Sequence, residues 1–250
     1  MIVSVELNQT THSFQLDCPI DISIPIQEGS QNPNCYYAAP VRIETIRMGS
    51  FVGSIADGGS CEYKQLTITP HGNGTHTECL THVAGGDLTI NKALTKGHFV
   101  AQLLTIEPET VGEDMVLTFE AFMAAWQNIE VEAVVIRSLP NTADKQQKQY
   151  SGTNPPYLSH QIGVFLAEKG VKHLLVDLPS VDKEVDGGQL KMHKAFWCLP
   201  ESPREDATIT ELIYVPDKVK DGLYLLNLQI LNLVSDASPS RPVLYPEVLK

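Results

Sequence analysis

The sequence predicts an α/β fold, from two successive helix-then-strand units and a series of alternating segments ahead of them. In the first unit Phe119, Phe122, Met123 and Trp126 recur at the spacing of one helix face, with Thr118 as N-cap. Val131 to Arg137 follows as an unbroken apolar run, which suits a strand covered on both faces. The second unit repeats this order. Ser159 caps a helix whose Ile162, Phe165 and Leu166 face inward, Gly170 stops it, and Val171 to Asp177 is the next strand.

Before these units, Ile2 to Leu7 and Asp21 to Ile26 alternate and read as short strands, the second made an edge strand or a strand end by Pro25. Val41 to Gly53 and Cys61 to Thr69 read as two strands joined through the Asp57-Gly58 turn. Ahead of both, residues 27–40 are turn-rich and carry Tyr36 and Tyr37, which either wall a pocket or pack on the loop. Phe99 to Glu107 reads as a buried strand ended by Pro108, with His98 as a surface residue before it. Ser138 to Pro156 is a polar connection of a length that is uncommon unless functional or disordered, with a lid as one reading. Trp197 to Ala207 reads as an exposed loop.

With 250 residues, 42% apolar and 19% charged, one globular domain over 1–250 is the default. That length buries a core without help from a metal, so a metal here would serve chemistry. A net charge of −12 argues against nucleic acid and anionic membrane surfaces and favours a small-molecule substrate. The five cysteines are scattered without a CxxC pair, and the first residues carry no basic-then-apolar leader, so a reduced, cytoplasmic protein is expected.

The densest chemistry lies in Thr69 to Val83, TPHGNGTHTECLTHV. His76, Glu78 and His82 stand at even offsets, so an extended chain after Gly74 would carry all three on one face. His71 has the wrong parity, but Gly72, Asn73 and Gly74 can turn it back toward them. Cys79 reads as a packing thiol, with thiolate ligation as the alternative. His12, His160 and His173 have no partner pattern.

This segment resembles the His-x-Gly-Thr-His-x-Asp-x-Pro-x-His motif of the cyclase family of metal-dependent hydrolases, which includes bacterial kynurenine formamidase and isatin hydrolase. Gly74, Thr75, His76 and His82 match in register; Glu78 replaces the Asp, Cys79-Leu80 replaces the usual residue and Pro, and His71 arrives one residue early. Asp21, Ser23 and Pro25 resemble the family's first segment, Asp177-Leu-Pro-Ser-Val-Asp182 its Asp-x-Pro-Ser-x-Asp stretch, and Ser238 to Leu244 its last. The resemblance implies a mixed, partly barrel-like sheet flanked by helices, of the swivelling β/β/α type, in a homo-oligomer, dimer or tetramer.

It also implies a ligand set of His71, His76, Glu78, His193 and Glu211 for one or two Zn or Mn ions per chain, with His82 as the acid or base. Mixed imidazole and carboxylate donors suit those metals, and histidine's pKa near 6.5 suits proton transfer. Arg137 either binds a substrate carboxylate or pairs with a neighbour; with Tyr36 and Tyr37 it completes the substrate-binding candidates. The implied activity is arylformamidase-like hydrolysis of a C–N amide bond in a formamide, lactam or cyclic imide, by attack of metal-bound hydroxide. A non-catalytic binding protein of the same fold, and a cyclase or lyase using the same metal, are the alternatives, since fold does not fix reaction.

Overall fold

Nine strands form one mixed sheet in a computed structural model that describes residues 1–7 and 9–248. From one edge the order is Ala237–Pro239, His76–Cys79, Thr208–Glu211, His173–Val176, Ala133–Ser138, His98–Ile106, Gly222–Asn227, Val243–Pro246 and Ile20–Asp21. The strands from Thr208–Glu211 to His98–Ile106 run parallel, and the flanking ones pair antiparallel. The sheet curls into a half-barrel, as expected.

Every residue of Ala133–Ser138 is buried, because both faces of the parallel block are covered. On one face Leu104, Val134, Leu174 and Ile209 pack beneath three helices, Phe119–Ala125, His160–Glu168 and Lys191–Phe196. The hairpin Ile2–Leu7 with Thr10–Gln15 lies against the same cluster through Val3 and Val5. On the other face Leu103, Val135, Leu175 and Leu226 form a second cluster. Neighbouring residues of one strand thus supply opposite cores, the period of two that a strand imposes.

Thr118 caps its helix as expected, its hydroxyl accepting from the Ala121 amide at 3.1 Å. Three details differ from the sequence reading. Met123 is exposed, since the helix buries Phe122 and leans on Phe119 and Trp126. Ser159 stands at the N-cap but donates to Gln161 Oε1, so it caps nothing. Asp21 to Ile26 keeps its alternation, with Ile22 and Ile24 buried, but only Ile20–Asp21 joins the ladder. The Asp21 carboxylate turns the chain by accepting from the Ser23 amide, and Pro25 has no amide to donate.

Val41 to Gly53 is not one strand. Arg42–Thr45 pairs with Lys64–Thr67, but the chain folds back near Gly49, φ +57°, so that Arg47–Met48 pairs with Phe51–Val52. The Asp57-Gly58 turn falls within the connection, not at a hairpin tip. Trp197 and Ala207, the ends of the expected exposed loop, are both buried, with Trp197 Nε1 donating to Ala207 O at 2.9 Å.

The 138–156 connection is a bracket and not a lid. Buried Lys145 donates to Ser138 O, Ser138 Oγ and Asp177 Oδ2 at 2.7, 2.9 and 2.8 Å, and Asn141 Nδ2 donates to Val215 O. Further on, the Tyr150 amide donates to Asn34 O, which ties the bracket to the tyrosine-bearing loop. Replacing Lys145 with Met would strand the fully buried Asp177 carboxylate. A loss of about 3 kcal/mol in urea unfolding is expected; an unchanged midpoint would show that the bracket is held elsewhere.

Candidate metal centre

The centre begins as a cross-strand pair. His76 and Glu78 share one face of their strand, and Glu211 stands directly opposite His76 in the antiparallel register. His76 Nε2 lies 3.4 Å from Glu211 Oε2. Thr77 and Thr210, one residue along each strand, hydrogen-bond to each other at 2.8 Å. Glu211 is further fixed by the Val181 amide, which donates to its Oε1 at 2.9 Å.

His193 descends onto this face from the helix Lys191–Phe196, its Nε2 3.0 Å from Glu78 Oε1 and 3.8 Å from Glu211 Oε1. Asp182 explains that placement. Its carboxylate accepts from the Met192 and His193 amides, the otherwise unpaired donors of the helix's first turn, and also from His193 Nδ1 at 2.7 Å. The Asp-x-Pro-Ser-x-Asp stretch quoted from the sequence contains this residue, although the expected ligand set omitted it.

His71 and His82 arrive by helical turns, so strand parity does not govern them. Pro70–Asn73 forms one turn that brings His71 Nδ1 to 3.1 Å from Glu78 Oε2. After Cys79 the chain leaves the strand, and Thr81–Ala84 forms a second turn. The expectation that His76, Glu78 and His82 share one strand face therefore fails for His82, whose Nε2 lies 3.8 Å from Glu78 Oε2. The two rings stack with centroids 4.2 Å apart. Both also meet Asp236, which no sequence motif marks and which stands just ahead of the Ala237–Pro239 edge strand.

Three overlapping sets bring donor atoms within 4.8 Å of one another: His71, His76 and Glu78; Glu78, His82 and His193; and His71, His82 and Asp236. Among the described residues, His76 Nε2 is buried without a hydrogen-bond partner. Since His76 Nδ1 bonds Gly74 O at 3.0 Å and must carry the proton there, neutral His76 turns an Nε2 lone pair toward Glu211. A lone pair facing a carboxylate in the interior is costly unless something positive lies between them. The donor set thus fits a divalent cation.

Titration agrees. Burial opposes charge on His193, yet its bonds to Asp182 and Glu78 outweigh this and raise its pKa to about 10; for His71, Glu78 and Asp236 likewise overcome burial, to about 9. Burial would raise Glu78, but His193 and His71 hold it well below the usual carboxylate range. The stability that these imidazoliums give the cation-free chain is complete below the unfolded value near 6.5 and is lost as pH rises through about 9 and 10. A cation must displace those protons. Zn²⁺ binding at pH 7 is expected to release roughly one to two protons, measured as buffer-dependent enthalpy in calorimetry; equal enthalpies in all buffers would contradict it.

Tyr36 is half-exposed, and burial followed by the charge of Glu211 in the centre raises its pKa above the usual tyrosine range. Tyr37 does not reach the centre; it is 79% exposed and its hydroxyl lies beside Gly152. Arg137 is also a correction: its guanidinium is buried and spent on Thr105 Oγ1, Pro216 O, Val219 O and Asp221, leaving nothing for a substrate carboxylate. Cys79 faces away from Glu78, toward Thr81 Oγ1 and Leu88 O, and burial raises its thiol, so the thiolate alternative fails. His12 pairs with Glu247, His98 with Asn227 and His173 with Thr208, while exposed His160 opens a different helix; none of these joins the cluster.

Residues 20–183 match the model of the Cyclase family, described as "Putative cyclase". Among curated proteins no sequence matches the chain. Solved structures similar in fold include the following three. A novel cyclase is 14% identical with a TM-score of 0.69, covering 93% of this chain and 90% of its own. A potential metal-dependent hydrolase with cyclase activity is 18% identical at TM-score 0.65, covering 91% and 97%. An isatin hydrolase bound to the product analogue thioisatinate is 18% identical at TM-score 0.63, covering 93% and 92%.

Proposed function

The chain belongs to the cyclase family, and from that premise we propose that it is a metal-dependent hydrolase that cleaves a C–N amide bond of a small molecule. The observation that carries the reading is the buried, unpartnered His76 Nε2 facing the Glu211 carboxylate. In this reading His71, His76, Glu78, His193 and Glu211 would hold one or two Zn or Mn ions. Glu78, Glu211, Asp182 and Asp236 together need compensating positive charge once the histidines are neutral, which supports a divalent cation.

When bound, the cation supplies Lewis-acid polarisation of a carbonyl and lowers the pKa of a coordinated water toward about 7. The residues do the rest. His82 stands at the rim with its Nδ1 held by Asp236 at 3.2 Å, so its Nε2 is free to carry a proton to the departing nitrogen. Tyr36 keeps its proton through the neutral range and can donate to the carbonyl oxygen as charge develops there. His193 is kept in register by Asp182, and the surrounding strands exclude water from Glu78.

Arylformamidase-like specificity is the finer proposal, and the isatin hydrolase relative extends it to cyclic amides. Assembly as a homo-oligomer, dimer or tetramer, is supported by exposed Met48, Ile55, Tyr63 and Leu66 on an arm whose strands pair only with one another. A cytoplasmic location is supported by the five unpaired cysteines. The test is a panel of N-formyl aromatic amines, lactams and cyclic imides with Zn- or Mn-loaded protein, products identified by mass. Water addition with C–N cleavage, abolished by chelator and restored by metal, is expected. Loaded protein that turns over none of them, or rearranges one without adding water, contradicts the reading.

A further inference from the structure

Each histidine of the centre needs its outer nitrogen occupied if the inner one is to present a lone pair. For His76 the occupant is Gly74 O, and for His193 it is Asp182. Both remaining histidines turn to the same atom. His71 Nε2 lies 2.9 Å and His82 Nδ1 3.2 Å from Asp236 Oδ2. These are different ring positions, so one acceptor imposes opposite tautomers: Nε2–H on His71, leaving Nδ1 beside Glu78, and Nδ1–H on His82, leaving Nε2 toward it.

Asp236 is well placed for that work. Its backbone carbonyl accepts from the Cys79 amide at 3.0 Å, and Ser235 O accepts from the Ile90 amide at 2.8 Å, which pins the approach to the Ala237–Pro239 strand beside Glu78. Ser235 Oγ donates to Asp236 Oδ1 at 2.9 Å, so the second carboxylate oxygen is engaged and the first is aimed at the two rings. The rings are stacked, so neither can turn without disturbing the other.

We propose that Asp236 is the shared positioning residue of the centre, fixing through one oxygen the tautomers of both the cation-holding His71 and the proton-carrying His82. The inference rests on the proposed metal site and deepens it. Because the two histidines share an anchor, removing it is felt at the cation as well as at the proton carrier, although Asp236 itself holds neither.

The test uses the full chain loaded with Zn²⁺ alone and needs no substrate. Long-range ¹H–¹⁵N spectra of the histidine rings report the tautomers, and competition with a chelating dye reports affinity. In Asp236→Leu, His82 is expected to lose its single tautomer and Zn²⁺ affinity to fall roughly 10- to 100-fold, with stoichiometry unchanged, while the cation on Nδ1 still keeps the proton of His71 on Nε2. Asp236→Asn keeps an acceptor of the same shape, so it should restore most of both, and it serves alone if the Leu variant does not fold. His82 keeping its single tautomer in Asp236→Leu, or that variant keeping the parental affinity, overturns the inference. Loss of one whole ion per chain would make Asp236 a ligand and overturn it too. A parent that binds no Zn²⁺ removes the metal reading itself, and a parent that binds Zn²⁺ but hydrolyses nothing leaves this inference standing.

Discussion

Glu78→Gln should remove nearly all bound cation and lower kcat/KM by at least about a thousandfold, as expected when a cation that contributes several kcal/mol is lost. The substitution keeps size and shape, so the effect isolates charge. Glu78 is fully buried and its two oxygens face His193 at 3.0 Å and His71 at 3.1 Å, which makes it the common member of two of the donor sets. A neutral amide there has one acceptor oxygen for two neighbours and presents its NH₂ to the other. Elemental analysis together with kinetics checks the prediction. Parental cation content, with activity reduced less than tenfold, would show that Glu78 is dispensable.

His82→Gln should separate proton transfer from cation binding. Its side chain is partly exposed at the rim, and its Nε2 is 3.8 Å from Glu78, farther than His71 or His193. A loss of about 10²- to 10⁴-fold in kcat is expected, with cation content unchanged. Substrates with better leaving groups should recover part of it, because they need less protonation. Loss of cation in this variant would instead place His82 among the ligands, within the set it forms with Glu78 and His193.

How legible this centre was depends on how far each contact reaches along the chain. His76 and Glu78 share a face by local parity, which two residues of extended chain suffice to show. His71 is brought back toward Glu78 by a turn at Gly72 to Gly74, as its glycines suggest, whereas His82 sits on a four-residue helical turn too short for any periodicity to reveal. The pairing of His76 with Glu211 depends on the register of two strands far apart in sequence, and only the family resemblance pointed to it. Asp236 carried no motif signal, and its role follows from a three-residue edge strand.

The fold shows the same division. Ala133–Ser138 and the helix that opens at Thr118 were readable from their own composition. The lid reading of 138–156 failed because the sequence cannot show that Lys145 is buried against Asp177, more than thirty residues away. Between the two readings of Arg137, pairing with neighbours is the one the fold bears out: its four acceptors come from Thr105 and the 216–221 segment, contacts too distant in sequence to be read there.

The most direct test is metal content per chain, by elemental mass spectrometry on protein purified without chelator, for the parent and for His76→Ala and Glu211→Ala. These two side chains come from different strands and meet only in the folded sheet. About one or two Zn or Mn per chain in the parent, with loss in both variants, is the result expected of one joint site. A parent that carries no metal and takes up neither Zn²⁺ nor Mn²⁺, or variants that keep the parental content, would contradict it.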